Sequence, residues 1–263
     1  MKIANYITQR LVAEGIDKVF LVQGSADNDL IYAIADTDGI DYVCPIHEQG
    51  GAFAAEGWAR VKGKPGVMIA TSGPGGQNLI TGICNAYYES VPMLFITGQV
   101  HAQFMRRDTE LRQLGFQEWP VAEVVRPITK YAVCITDPSH VPGALEVALD
   151  LCQSGRPGPV LLDLPIGVQR AELDDTTFAR YNIPEKLRLR TSKEAAAERL
   201  GLLSNRAIHH RSHGITQFLD DLWKAERPAM LIGGGVRSPK AIDAFNRLAN
   251  TLHIPCFPTW NAL

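Results

Sequence analysis

The chain reads Tyr42-Val43-Cys44-Pro45-Ile46-His47-Glu48-Gln49-Gly50-Gly51-Ala52-Phe53-Ala54-Ala55-Glu56-Gly57 at the point that decides its fold. A strand-like run ends at Glu48, and a helix begins in the small-residue segment that follows. In open α/β sheets, ligands bind at the edge formed by the carboxyl ends of the strands. Glu48 is therefore predicted to lie where its carboxylate can act on a ligand.

The same pattern recurs at residues 66–78, where an apolar run leads into Thr71-Ser72-Gly73-Pro74-Gly75. Further along the chain, apolar runs of strand length alternate with helical patterns. Predicted strands lie at residues 18–22, 42–45, 66–70, 93–97 and 159–164, and predicted helices at 3–14, 27–37, 49–62, 76–89 and 139–153. Asp27 and Asp137 are expected to mark helix N-termini. Because continuous apolar runs suit strands buried on both faces, we predict an α/β fold with a doubly wound parallel sheet.

The alternation of apolar strands and helical patterns stops after residue 165. Residues from about 168 to 215 are polar and show no clear strand, which is typical of a linker. A helix around 214–225, a strand at 228–232, a helix at 238–251 and a strand at 253–258 follow. We therefore predict a doubly wound domain at 1–170, a linker at 171–213 and an incomplete second Rossmann-like α/β domain at 214–263.

The composition argues against nucleic acid and membranes as partners of the chain. The 263 residues carry a formal net charge of −2, which provides no field to gather nucleic acid or an anionic membrane. No apolar stretch has the length of a membrane span, and the N-terminus lacks a signal peptide. The five cysteines are widely spaced and form no C-x-x-C pair. We expect a cytoplasmic protein with reduced core thiols, bound neither to nucleic acid nor to a membrane.

Several segments, in this order and spacing, resemble the thiamine-diphosphate-dependent enzymes, most closely the acetolactate synthase branch. They are His47-Glu48-Gln49-Gly50, the run at 54–60, Thr71-Ser72-Gly73-Pro74-Gly75 with Asn78, Ile96-Thr97-Gly98-Gln99-Val100, and the runs at 115–118, 126–130 and 154–160. By this resemblance, residues 1–170 are the pyrimidine-binding domain and residues 214–263 begin the central domain.

The resemblance implies a role for Glu48. In the family, the glutamate at this position hydrogen-bonds N1′ of the aminopyrimidine and favours the imino tautomer, whose nitrogen takes the proton from thiazolium C2. The first substrate is then a 2-keto acid, which loses carbon dioxide before its acyl unit passes to a second carbonyl compound. The alternative for Glu48, taken alone, is a helix cap, because acids are favoured at helix N-termini.

The resemblance also assigns the other site residues. Cofactor-binding residues are Glu48, Ser72, Gly73, Pro74 and Asn78; substrate-binding residues are Gly24, Ser25, Phe116 and Gln117; Gln117 joins Glu48 as catalytic. Alternatives stay open at four places: a phosphate-cradling loop or a plain tight turn at 71–76, helix capping by Asn78, core packing of Phe116, and His47 as a polar support of the strand end. The turn at 24–26 departs from the family's Gly-x-Pro-Gly-like pattern, which leaves the substrate open.

The family's diphosphate-binding domain, with its Gly-Asp-Gly motif and Mg²⁺ ligands, is not found in the sequence. The family's active site lies between two chains, so we expect a homodimer or homotetramer, or a separate diphosphate-binding partner chain, and an inactive chain on its own. Of a fragment, a split subunit and a non-catalytic binding module, the fragment is favoured. Residues 233–235 suggest helix packing rather than FAD, which some relatives hold in the central domain.

Overall fold

The chain is described by a computed structural model that covers residues 1–106, 110–173, 205–237 and 241–260. Contacts divide it into two compact units, Met1–Ala196 and Ala197–Leu263. Residues 174–204 of the predicted linker lie outside the described residues.

The first unit contains a six-stranded sheet with the order β2-β1-β3-β4-β6-β5, and each neighbouring pair is parallel. Its strands are β1 (Lys18–Val22), β2 (Asp41–Val43), β3 (Gly66–Ala70), β4 (Met93–Gln99), β5 (Tyr131–Cys134) and β6 (Pro159–Pro165). Its helices are α1 (Ile3–Ala13), α2 (Asn28–Ala35), α3 (Glu48–Lys62), α4 (Pro74–Asn78), α5 (Ile80–Glu89), α6 (Val121–Val124), α7 (Val141–Gln153) and α8 (Ile166–Arg170). The predicted α/β fold with a parallel sheet is confirmed.

Helices cover both faces of this sheet. Successive side chains of a strand point to opposite faces. In β3, Val67 and Ile69 therefore pack with α1, α2 and α7, whereas Met68 and Ala70 pack with α3 and α5. The central strands are buried on both sides, which explains why their sequences are continuous apolar runs.

The edges of the sheet depart from the prediction. Strand β5, which is absent from the predicted strands, is an edge strand of four half-buried residues. Strand β2 at the other edge has three exposed residues, so burial on both faces is wrong for it. The single helix predicted at 76–89 is two helices, α4 and α5, joined at Leu79. Short edge strands carry a weak apolar signal because only part of their surface is covered.

The second unit contains α9 (Asn205–Lys224), β7 (Met230–Ile232), α10 (Ile242–Leu252) and β8 (Cys256–Pro258). The two strands pair in parallel, so the predicted strand–helix–strand unit is present. Helix α9 begins at Asn205, inside the predicted linker, and α10 begins later than predicted. The glycine run at 233–235 leads into a 3-10 turn at Gly234–Arg237.

Within the described residues, none of the helices combines the length and the apolar character that crossing a membrane requires. The five cysteines, all within the described ranges, are free thiols. Cys44 is exposed, so the prediction of core thiols is wrong for that residue, whereas Cys152 is buried.

Candidate active site

Segments from four parts of the first unit meet at the carboxyl-terminal edge of the sheet. They are the turn after β1, the start of α3, the turn after β3 and the segment at residues 115–119. Ala26 N donates to Thr71 Oγ1 at 3.2 Å, which joins the first turn to the third. The predicted site residues therefore come together at the edge where α/β sheets bind ligands.

Glu48 is the first residue of α3 and is buried, with 9% of its surface exposed. Its Oε2 accepts a hydrogen bond from Asn78 Nδ2 at 3.0 Å. Among the described residues, Oε1 has no hydrogen-bond donor. A Cβ added at Gly75 would lie 3.4 Å from Oε1, so this glycine keeps space beside the oxygen. One carboxylate oxygen is thus held in place while the other remains available.

Helix α3 is capped by His47, the residue before Glu48. His47 is the N-cap residue, and its Nδ1 accepts a hydrogen bond from Gln49 N at 3.2 Å. The interpretation of His47 as a polar support of the strand end is wrong in its place, because β2 ends at Val43 and the bond supports the start of α3. The negative charge of Glu48 is still favoured in the first helical turn. Its only hydrogen-bond donor among the described residues, however, is the side chain of Asn78.

The prediction that Asn78 caps a helix start is wrong, because Asn78 is the last residue of α4. Its side-chain amide donates to Glu48, and this bond joins two residues that lie 30 positions apart. Asn78 is therefore placed to fix the orientation of the Glu48 carboxylate.

The turn after β3 depends on the glycine at its tip. Gly73 has φ 60° and ψ −120°, the geometry of the first central position of a type II′ turn. A Cβ there would lie 2.6 Å from the carbonyl oxygen of Gln117. The predicted tight turn with positive φ is confirmed at this residue. Ser72 is buried beside it, and Pro74 is the exposed first residue of α4.

Gly73→Ala is expected to lower the free energy of unfolding by about 2–5 kcal/mol, because backbone strain and the clash with Gln117 act together. Gly63→Ala is the matched control. Gly63 also has positive φ, 66°, but a Cβ there meets nothing within 4 Å. This control should lose only about 1–2 kcal/mol. Urea denaturation measures both, and equal losses would contradict the close approach of Gln117 to Gly73.

Phe116 and Gln117 lie in a segment fixed by the next residue. The Glu118 carboxylate accepts backbone hydrogen bonds from Arg106 N at 2.6 Å and Leu114 N at 3.0 Å. Gln117 has φ 57°, and Phe116 is 84% exposed. The alternative of core packing is therefore wrong for Phe116. The segment holds an aromatic side chain at the surface next to the Gly73 turn.

The turn after β1 packs directly on the turn after β3. A Cβ at Gly24 would lie 2.3 Å from Thr71 Cβ, so only glycine allows this approach. Gly24 N donates to Asp27 Oδ1 at 2.8 Å and closes the turn. Ser25 is exposed at its tip. Gly24 thus has a steric reason for its identity whatever it binds.

Asp27 lies at the candidate site, although its sequence position predicts only a helix N-terminus. It precedes α2, but its side chain makes no cap bond to the helix. The carboxyl group is fully buried, and among the described residues its Oδ2 has no hydrogen-bond partner. Burial, and then the charge of Glu48, raise the pKa of Asp27 to about 7, against the bond from Gly24. The feature of the sequence that could have marked Asp27 as a site residue is its place after a strand, at the same edge of the sheet as Glu48.

Two family models match the sequence. Residues 1–123 match "Thiamine pyrophosphate enzyme, N-terminal TPP binding domain", and residues 215–263 match "Thiamine pyrophosphate enzyme, central domain". Together they cover well over half of the chain.

Curated relatives are similar along nearly the whole chain. The chloroplastic acetolactate synthase of Arabidopsis thaliana is 35% identical over 256 residues, which is 97% of this chain and 35% of the relative. The probable acetolactate synthase large subunit of Methanocaldococcus jannaschii is 35% identical, over 98% of this chain and 42% of the relative. The large subunit of Lactococcus lactis is 33% identical, over 96% and 40% respectively. The chain thus spans only about two fifths of the length of these relatives.

Proposed function

The chain belongs to the thiamine pyrophosphate enzyme family, and from that premise we propose that it supplies the pyrimidine-binding part of a thiamine-diphosphate-dependent enzyme acting on 2-keto acids. The observation that carries the proposal is the buried Glu48 carboxylate, with Oε2 held by Asn78 and Oε1 open beside Gly75. A buried carboxylate at a helix start can share a proton with a ring nitrogen.

The residues around Glu48 fit an aminopyrimidine ring. Oε1 has no donor among the described residues, and a Cβ at Gly75 would occupy the space beside it, 3.4 Å away. Gly73 likewise brings the turn after β3 close to the Gln117 segment without a side chain between them. Thiamine diphosphate would supply the carbon nucleophile and the electron sink, chemistry that side chains lack.

The proposal gives each of the following site residues a role. Glu48 holds or moves a proton at the ring nitrogen, and Asn78 keeps its carboxylate oriented. Ser72, Gly73 and Pro74 form the wall against the ring. Gly24 and Ser25 bound the substrate region.

The reaction proposed is decarboxylation of a 2-keto acid and transfer of its acyl unit to a second carbonyl compound. The support is the similarity to proteins named acetolactate synthases. Gln117 and Phe116 would act on substrate at a neighbouring chain's site. Mg²⁺ and the diphosphate would be held by a further domain or chain.

Assembly with a second chain is part of the proposal. Helices α3 and α5 expose large apolar side chains, namely Phe53, Val61, Tyr87 and Tyr88. Aromatic residues are enriched at the centres of protein interfaces. These residues support a homodimer or homotetramer, or a complex with a diphosphate-binding chain.

The full-length protein, supplied with thiamine diphosphate and Mg²⁺, is expected to consume pyruvate or a closely related 2-keto acid. Loss of the keto acid is followed by its absorbance, and the reaction without thiamine diphosphate is the control. Failure to consume any small 2-keto acid under these conditions would overturn the proposed function.

A further inference from the structure

A cluster of buried polar side chains joins the neighbouring strands β4 and β6. Asp163 in β6 is almost fully buried in an otherwise apolar strand. Its carboxylate accepts hydrogen bonds from Thr97 Oγ1 at 2.8 Å and from Gln99 Nε2 at 3.0 Å, both in β4. Burying a carboxyl group costs free energy even when it is hydrogen-bonded, so the cluster is a poor way to gain stability alone.

Gln99 connects this cluster to the site. Its Nε2 donates a second hydrogen bond, to the carbonyl oxygen of Trp119 at 2.8 Å. Its Oε1 accepts from Val100 N at 3.0 Å. Both amide N–H groups and the amide oxygen therefore have partners, so the orientation of the side chain is fixed. Asp163 takes one of the two N–H groups and directs the other at Trp119.

Trp119 ends the segment at residues 115–119 that carries Phe116 and Gln117. The segment touches the turn after β3 and α4 at two points. The carbonyl of Gln117 packs on Gly73, and the Trp119 ring would lie 3.6 Å from a Cβ at Gly76. A movement of the Trp119 carbonyl would therefore move Gln117 relative to the turn.

We propose that Gln99, oriented by Asp163, is a positioning residue that holds the 115–119 segment against the Gly73 turn. The part that concerns catalysis rests on the proposed function, because it assumes that Gln117 acts at the cofactor. The contact itself does not depend on that assumption. The Trp119 carbonyl also accepts a hydrogen bond from Val121 N at 2.8 Å, but that bond lies within the same stretch of chain. An apolar pair at these positions could pack the sheet, but it would remove the bond from Gln99 that joins the Trp119 carbonyl to β4.

Hydrogen exchange of backbone amides tests the positioning role in the full-length protein. Gln99→Met keeps the length of the side chain and removes both N–H donors. We expect exchange of the amides of residues 114, 115 and 118 to rise about 5–30-fold, as loss of one or two local hydrogen bonds implies. Exchange in β3 should stay as in the wild type.

Gln153→Met is the matched control. Its Nε2 also donates two bonds, to Leu149 O at 2.9 Å and Glu14 Oε1 at 3.2 Å, but it lies on α7. It should leave exchange at 114–118 unchanged. If Gln99→Met fails to fold, Gln99→Asn serves, because its shorter amide cannot bridge Asp163 and Trp119.

An unchanged rate at 114–118 in the Gln99 variant would overturn the proposal, and so would an equal rise in β3, which would indicate general loosening. Turnover in the same variants adds a second readout: kcat should fall in Gln99→Met and not in Gln153→Met. A wild type that consumes no 2-keto acid would defeat the proposed function, while the exchange data would still decide the positioning role.

Discussion

Glu48→Gln is expected to lower the turnover of 2-keto acid by the full-length protein by about 10²–10⁴-fold, the usual range for removing a positioned acid–base group. Glutamine has nearly the same shape and can still accept the bond from Asn78. It cannot take up or release a proton at the ring nitrogen. The fold should therefore survive while catalysis is lost.

Asp243→Asn is the control for the helix-capping alternative. Asp243 is the acid in the first turn of α10, in the second unit. If Glu48 served only the helix dipole, both substitutions would cost about 0.3–1 kcal/mol of stability and neither would affect turnover. Steady-state kinetics and thermal melting of both variants separate the two roles. Near-wild-type turnover in Glu48→Gln would contradict the assigned role.

Asp27→Asn is expected to raise the free energy of unfolding at pH 8 and to change it much less near pH 4. The pKa of Asp27 is raised from its ordinary value of 3.8 to about 7 in the folded protein. Between these two values the folded state binds more protons than the unfolded state, so stability falls as the pH rises. At about 1.4 kcal/mol for each unit, the penalty above pH 7 is at most about 4 kcal/mol.

Urea denaturation at pH 4 and pH 8 measures this effect. Asp41→Asn is the control, because Lys18 lowers the pKa of that exposed carboxyl group and its removal should bring no gain at pH 8. A gain in Asp27→Asn that is the same at both pH values would show that the carboxyl group does not titrate in this range. A loss of stability at pH 8 would show that the charged form is well solvated.

The sheet was predictable where its strands are central. In β3 and β4 every residue is buried, and the continuous apolar run records that burial directly. Strand β5 was missed because an edge strand of four half-buried residues leaves too short a pattern. The break at Leu79 between α4 and α5 is likewise set by packing that helical periodicity does not register.

Part of the site was predictable from the position of its residues after predicted strands. Glu48 follows a strand-like run, and position alone marked it as a residue at the ligand-binding edge. Its bond to Asn78 was not predictable, because that contact arises from the packing of α3 against α4. No feature of the sequence distinguishes the pKa of Asp27 and Asp163 from that of other aspartates. Burial, which the fold determines, is the main cause that raises the pKa of each to about 7.

Exchange of the C2 proton of bound thiamine diphosphate for deuterium, followed by NMR, tests most directly whether Glu48 activates the cofactor. The full-length wild-type protein with Mg²⁺ is compared with Glu48→Gln, both loaded with thiamine diphosphate. We predict exchange about 10²–10⁴-fold slower in the variant. Equal exchange rates in the two proteins would contradict the role of Glu48.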